Sequence, residues 1–160
     1  MQNRTTDLVG PDLAGRDLAG RDLAGLRILV VEDEWMVAMM IQDALRQWKC
    51  EIIGPVPTID LALAAVQQHT LDGALLDSNL NGRVITPVAE ELSARAVPFI
   101  MVTGYASSAL DVEVVRTAPR IIKPFADKQL AETMMEVFGA GRRGRYYGTA
   151  PGPATATNDG

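Results

Sequence analysis

Arg27-Ile28-Leu29-Val30-Val31-Glu32-Asp33-Glu34 opens with a short, continuously apolar run and closes on three carboxylates. A strand with one face in water alternates apolar and polar residues. An unbroken run marks a strand covered on both faces, as in a parallel sheet flanked by helices. Residues 34–48 follow as a helix, with Val37, Met40, Ile41, Leu45 and Trp48 at helical spacing. The same alternation then recurs. Strands are expected at 51–53, 72–76, 98–102 and 120–122. Helices are expected from a Thr58 cap to about His69, from a Thr86 cap with Pro87 in the first turn to about Arg95, over 107–117, and over 127–138 with Gly139 as the stop. Five strands alternating with five helices give an α/β fold, a five-stranded parallel sheet joined by right-handed crossovers.

The 160 residues are 48% hydrophobic, 22% charged and 5% aromatic, the make-up of one folded domain with tails. No apolar run approaches the roughly 20 residues of a membrane helix, and the first residues carry no signal-peptide core, which points to a cytoplasmic protein without membrane insertion. One cysteine, Cys50, excludes an internal disulfide framework, and with one histidine, His69, zinc held by nitrogen and sulfur is not supported. A Cys50–His69 hydrolase has nothing else behind it. Residues 12–26 carry Asp-Leu-Ala-Gly-Arg twice and Asp-Leu-Ala-Gly-Leu once. A period of five fits neither helix nor strand, so residues 1–25 read as a flexible extension and 26–139 as the domain. Residues 140–160, rich in Gly, Pro, Ala and Thr, read as a disordered tail. The domain holds nine basic against fifteen acidic residues, so DNA is not an expected partner. Arg142-Arg143-Gly144-Arg145-Tyr146-Tyr147 is too small a basic run to reverse that. Met36, Met39, Met40, Met134, Met135 and Phe138 read as core.

Ligands of such sheets bind at the carboxyl ends of the strands. Glu32, Asp33 and Glu34 follow the first strand and Asp77 the third; Thr103-Gly104 follow the fourth, and Lys123-Pro124 the fifth. Crowded carboxylates repel unless a cation intervenes, and an oxygen-only set suits Mg²⁺. Add an ammonium and a hydroxyl, and the edge is equipped for an aspartate that accepts a phosphoryl group.

Ile28-Leu29-Val30-Val31-Glu32-Asp33-Glu34, Leu75-Leu76-Asp77-Ser78-Asn79-Leu80, Met101-Val102-Thr103-Gly104 and Ile122-Lys123-Pro124-Phe125 resemble the four signature blocks of bacterial response-regulator receiver domains, in order over residues 26–139. The resemblance implies the flavodoxin-like doubly wound (βα)5 strand order, which the chemotaxis receiver exemplifies. It implies Asp77 as phospho-acceptor, Glu32, Asp33, Asp77 and the Asn79 backbone carbonyl around Mg²⁺, Thr103 and Lys123 on the phosphoryl oxygens, and a cis Lys123–Pro124 bond. It further implies a sensor histidine kinase as donor, and a protein-binding surface as output, with the fourth and last helices serving as partner or homodimer faces in many members. A switch of this kind catalyses only its own phosphorylation and dephosphorylation, so it is not a dedicated enzyme. Pro98-Phe99-Ile100-Met101-Val102-Thr103-Gly104-Tyr105, with Asn79-Leu80-Asn81-Gly82, is also similar to a subgroup of stand-alone receivers that work beside an unusual class of histidine kinases, mainly in alphaproteobacteria; those carry Phe-Ala where this chain has Met101-Val102. Many receivers place a switching aromatic three residues before the lysine; here Arg120 stands there, with Tyr105 as a substitute aromatic and an acidic partner or solvent as the expected surroundings of Arg120. Two other classes remain. An aspartyl-phosphate phosphohydrolase needs a second aspartate two residues after the nucleophile, where this chain has Asn79. A receiver-like scaffold acting without phosphorylation would have no use for so complete a site.

Overall fold

The computed structural model describes residues 19–104 and 112–147, with side chains to residue 139. Five parallel strands, β1 (Arg27–Val31), β2 (Glu51–Val56), β3 (Gly73–Asp77), β6 (Phe99–Thr103) and β7 (Arg120–Ile122), form one sheet in the order β2-β1-β3-β6-β7. Counting those five alone, the order is 2-1-3-4-5, the doubly wound arrangement expected. Between β3 and β6 lies a two-stranded antiparallel hairpin, β4 (Asn79–Leu80) and β5 (Arg83–Val84), which the periodicity does not announce.

Alternate residues of each strand serve opposite faces. Ile28, Val30, Leu75, Ile100, Val102 and Ile121 pack with helices α1 (Trp35–Gln47) and α5 (Asp127–Tyr147). Leu29, Val31, Ala74, Leu76 and Met101 pack with α2 (Ile59–Gln68), α3 (Thr86–Ala94) and α4 (Glu113–Arg116). Each of the fully buried aliphatic side chains adds about 1.5–3 kcal/mol of burial. Because all five strands run the same way, their carboxyl ends line one edge. That edge carries Glu32, Asp77, Thr103 and Lys123.

Several local expectations change. Thr58 caps α2 as expected, its side chain accepting from the Leu61 amide at 3.3 Å. Thr86 instead lies within α3, with Ile85 in the capping position. Gly139 does not stop α5, which runs on to Tyr147, so residues 140–147 of the tail read as disordered are helical in backbone. A glycine ends a helix when it turns left-handed; in a right-handed conformation it only costs about 1 kcal/mol. Residues 19–25 of the extension read as flexible are also ordered. Residues 19–22 are helical, and Ala19 and Leu23 are fully buried in the cluster that contains Leu26, Leu45, Trp48 and Phe138. The turn ends at Gly25, left-handed at φ 77, whose amide donates to the Lys49 carbonyl at 2.8 Å. Met36, Met39 and Met40, read as core, are exposed on α1 beside the 71% exposed Trp35, whereas Met134 and Phe138 are buried. The inward face of α1 is taken by Ala38, Ile41, Ala44 and Leu45. Of the helix expected over 107–117, only Glu113–Arg116 is seen; residues 105–111 lie outside the described residues, as do 1–18 and 148–160. Among the described residues no helix is long and apolar enough to cross a membrane.

Candidate functional site

Lys123, on the loop after β7, reaches across the sheet edge. Its ammonium lies 2.8 Å from Glu32 Oε2, 2.9 Å from Glu34 Oε1 and 3.2 Å from Asp77 Oδ2. The Lys123–Pro124 bond is cis, as expected, and the Lys123 amide donates to the Thr103 carbonyl at 2.8 Å. One carboxylate oxygen from each of Glu32, Asp33 and Asp77 lies within 4.8 Å of the other two. One ammonium is therefore shared by three carboxylates with Asp33 beside them, and Glu32, Asp77 and Thr103 are the buried polar residues of the described chain.

Burial pushes the Glu32 carboxyl up from 4.5 to about 7, since an ion leaving water loses hydration; the Lys123 contact and the Glu34 amide oppose this, and the Asp77 charge adds to it. For Lys123 burial acts downward, but the hydrogen bonds to Glu32 and Glu34 and the charge of Asp77 outweigh it and hold the ammonium above its ordinary value. Glu32 Oε2 is buried and faces the Lys123 ammonium at 2.8 Å, a single cation that it shares with Glu34 and Asp77. A buried carboxylate oxygen so placed, beside two more carboxylates, is short of positive charge. The residues present thus fit a hard divalent cation such as Mg²⁺.

Backbone amides tether one oxygen of each of Glu32, Asp77 and Asp33. The Glu34 amide donates to Glu32 Oε1 at 2.9 Å, the Asn79 amide to Asp77 Oδ1 at 3.2 Å, and the Asn81 amide to Asp33 Oδ2 at 3.0 Å. Ser78 Oγ donates to Thr103 Oγ1 at 2.9 Å, joining the loop after β3 to the end of β6. All the residues expected at the site from sequence — Glu32, Asp33, Asp77, Asn79, Thr103 and Lys123 — are brought to this edge. Glu34, Ser78 and the Asn81 amide belong there too. Glu34 stands in the acidic triplet, but a backbone N–H leaves no mark in a sequence. The Arg120 guanidinium donates to the carbonyls of Val115 at 3.2 Å and Arg116 at 2.9 Å, at the end of α4. Tyr105 lies outside the described residues. His69 is exposed at the end of α2.

The model of the response regulator receiver domain matches residues 28–135. The chain belongs to this family. Among solved structures, the receiver resembles SdrG from Sphingomonas melonis Fr1, at 39% identity over 71% of this chain and 94% of that one, with a TM-score of 0.62. A BeF3-activated conformation of SdrG matches at 40% identity over 69% of this chain and 94% of that one, with a TM-score of 0.60. The receiver domain of sensor histidine kinase PA1611 from Pseudomonas aeruginosa PAO1, with a magnesium ion in its active site cleft, matches at 24% identity over 72% and 99% of the two chains, with a TM-score of 0.64. The response regulator PhyR from Brucella abortus matches at 21% identity and a TM-score of 0.68; 84% of this receiver covers 57% of that longer chain. The last two show the fold alone. A search of the curated proteins found no match. Receiver domains are modules of two-component signalling and phosphorelay, not classical enzymes.

Proposed function

We propose that this receiver is a phosphorylated switch in which Asp77 accepts a phosphoryl group from the phosphohistidine of a sensor histidine kinase. The observation that carries the reading is the buried Asp77 carboxylate, held by Lys123 at 3.2 Å and by the Asn79 amide, beside the carboxylates of Glu32 and Asp33. An Asp77 oxygen attacks phosphorus, the phosphorus–nitrogen bond breaks, and its electron pair returns to the imidazole. Lys123 and the Thr103 hydroxyl receive the phosphoryl oxygens, and the buried setting strengthens both contacts. Glu32, Asp33, Asp77 and the Asn79 carbonyl would hold Mg²⁺, which supplies charge neutralisation when bound. The SdrG structure with BeF3 supports the reading, since that anion has the shape of a phosphoryl group. The new charge draws Thr103 and Lys123 and biases a protein-binding surface. The Pro98–Tyr105 stretch is similar to that of receivers whose output is a protein contact, which supports this reading of the output.

Intact mass after incubation with Mg²⁺ and acetyl phosphate tests this. One added phosphoryl group is expected, absent in Asp77→Asn and absent with chelator. No adduct with acetyl phosphate, phosphoramidate or a phosphorylated kinase would leave a receiver-like scaffold as the better description.

A further inference from the structure

The hairpin after Asp77 is more than a connection. Asn81 and Gly82 form its two-residue turn with φ of 51 and 83, the double left-handed geometry of a type I′ hairpin. The base is closed by the Ile85 amide on the Ser78 carbonyl at 3.3 Å, and Leu80 and Ile85 are buried in the core below. The Gly82 amide donates to Asn79 Oδ1 at 2.7 Å, so the Asn79 side chain braces the turn from inside. With the tip thus fixed, the Asn81 N–H points at Asp33 Oδ2, 3.0 Å away. The segment that begins at the proposed phospho-acceptor therefore reaches back to a carboxylate on the loop after β1, 48 residues earlier.

We infer that the Asn79–Val84 hairpin is a positioning device for the metal site, in which the left-handed Asn81–Gly82 turn aims the Asn81 amide at Asp33 and holds that carboxylate ready for a divalent cation. The inference rests on the metal reading given above. A carboxylate on a solvated loop samples several rotamers, and ordering it on binding lowers affinity; a fixed N–H on one oxygen does that ordering in advance and leaves the other oxygen to a cation. Asp77, the last residue of β3, is tied in the same way by the amide of Asn79, two residues later at the start of β4. One rigid hairpin thereby sets the spacing between carboxylates from two different strands. Asn81 and Gly82 act through Asp33, not on the reacting atoms.

Gly82 offers a clean perturbation, because a Cβ there meets nothing within 4 Å and only the left-handed backbone is at stake. Valine resists that conformation strongly, whereas asparagine tolerates it. Mg²⁺ titration of the full-length protein should show Gly82→Val weakened by about five- to tenfold, as expected from a left-handed penalty of that order, with Gly82→Asn close to wild type. Thermal unfolding in chelator separates a folding defect from lost affinity. The second readout needs no metal: in chelator, Asp33→Ala should speed hydrogen exchange at the Asn81 amide and spare the Asn79 amide. Unchanged Mg²⁺ affinity in Gly82→Val, or Asn81 exchange indifferent to Asp33→Ala, overturns the inference alone. Absence of Mg²⁺ binding by the wild type overturns the metal reading and this inference with it, while leaving the exchange result as a test of the hydrogen bond.

Discussion

Replacing Glu32 by glutamine measures what the crowded edge costs when no metal offsets its charge. The Glu32 carboxyl titrates at about 7 in the folded chain against 4.5 for an ordinary glutamate. A raised carboxyl keeps its proton in the folded state over a range where the unfolded chain has released it. Stability therefore falls as pH rises from about 4.5 to about 7 and stays low above. Integrating proton release over the two states, the loss between pH 5 and pH 8 reaches about 2.5 kcal/mol as a ceiling. Lys123 stays charged throughout and shares the Glu32 charge, so about 1–2 kcal/mol is the working expectation. Glutamine cannot titrate, and its amide loses one of the two acceptor contacts, an offset independent of pH. The informative quantity is thus the stability difference between Glu32→Gln and wild type, followed by urea unfolding in chelator at pH 5 and pH 8. The variant should gain at least about 1 kcal/mol on the wild type across that window. A difference that is flat with pH, or that moves the other way, refutes the reasoning. With saturating Mg²⁺ the wild type should recover stability as the logarithm of metal over its dissociation constant, and the variant should recover less.

Trp35 follows Glu34 and is largely exposed, while Trp48 is buried; Mg²⁺ should alter Trp35 emission, with no change in Asp33→Ala or Trp35→Phe. Gly73→Ala should cost about 1–3 kcal/mol by overpacking, since its Cβ would lie 2.6 Å from the Phe138 ring, and urea unfolding should show much of that cost gone in the Phe138→Leu background. Leu23→Ala should lower stability by about 2–4 kcal/mol through a buried cavity, because Leu23 is fully enclosed; a flexible extension would predict no change in the unfolding midpoint.

The parts legible in sequence are those where burial dictates residue type. β1, β3 and β6 are runs of apolar residues because both faces are covered, and each expected boundary lies within a residue of the observed one. The site is legible for a related reason: parallel strands deliver whatever follows them to one edge, so Glu32, Asp77, Thr103 and Lys123 meet without any contact having to be foreseen. Where tertiary context decides, the sequence is silent. Gly20 and Gly25 occupy the same place in successive repeats, yet one lies in a helical turn and the other is left-handed. Met40 and Ile41 are neighbours on α1, and the helix buries only Ile41. The strands of the hairpin are two residues each, too short for alternation to register. Arg120 looks like a charge in need of a partner, but finds it in the spare carbonyls of the short helix α4.

The seating of residues 19–26 also bears on how the tandem repeat can change in length. The third copy differs from the first two in its last residue, Leu26 in place of arginine, and Leu26 is buried. Loss of the third unit would slide an arginine into the place of Leu26, which is buried in the apolar cluster with Leu23, Leu45 and Trp48, at the cost of desolvating its charge. The last unit of the repeat is thus a structural part of the domain, and its closing leucine is what sets it apart from the arginine-ended copies.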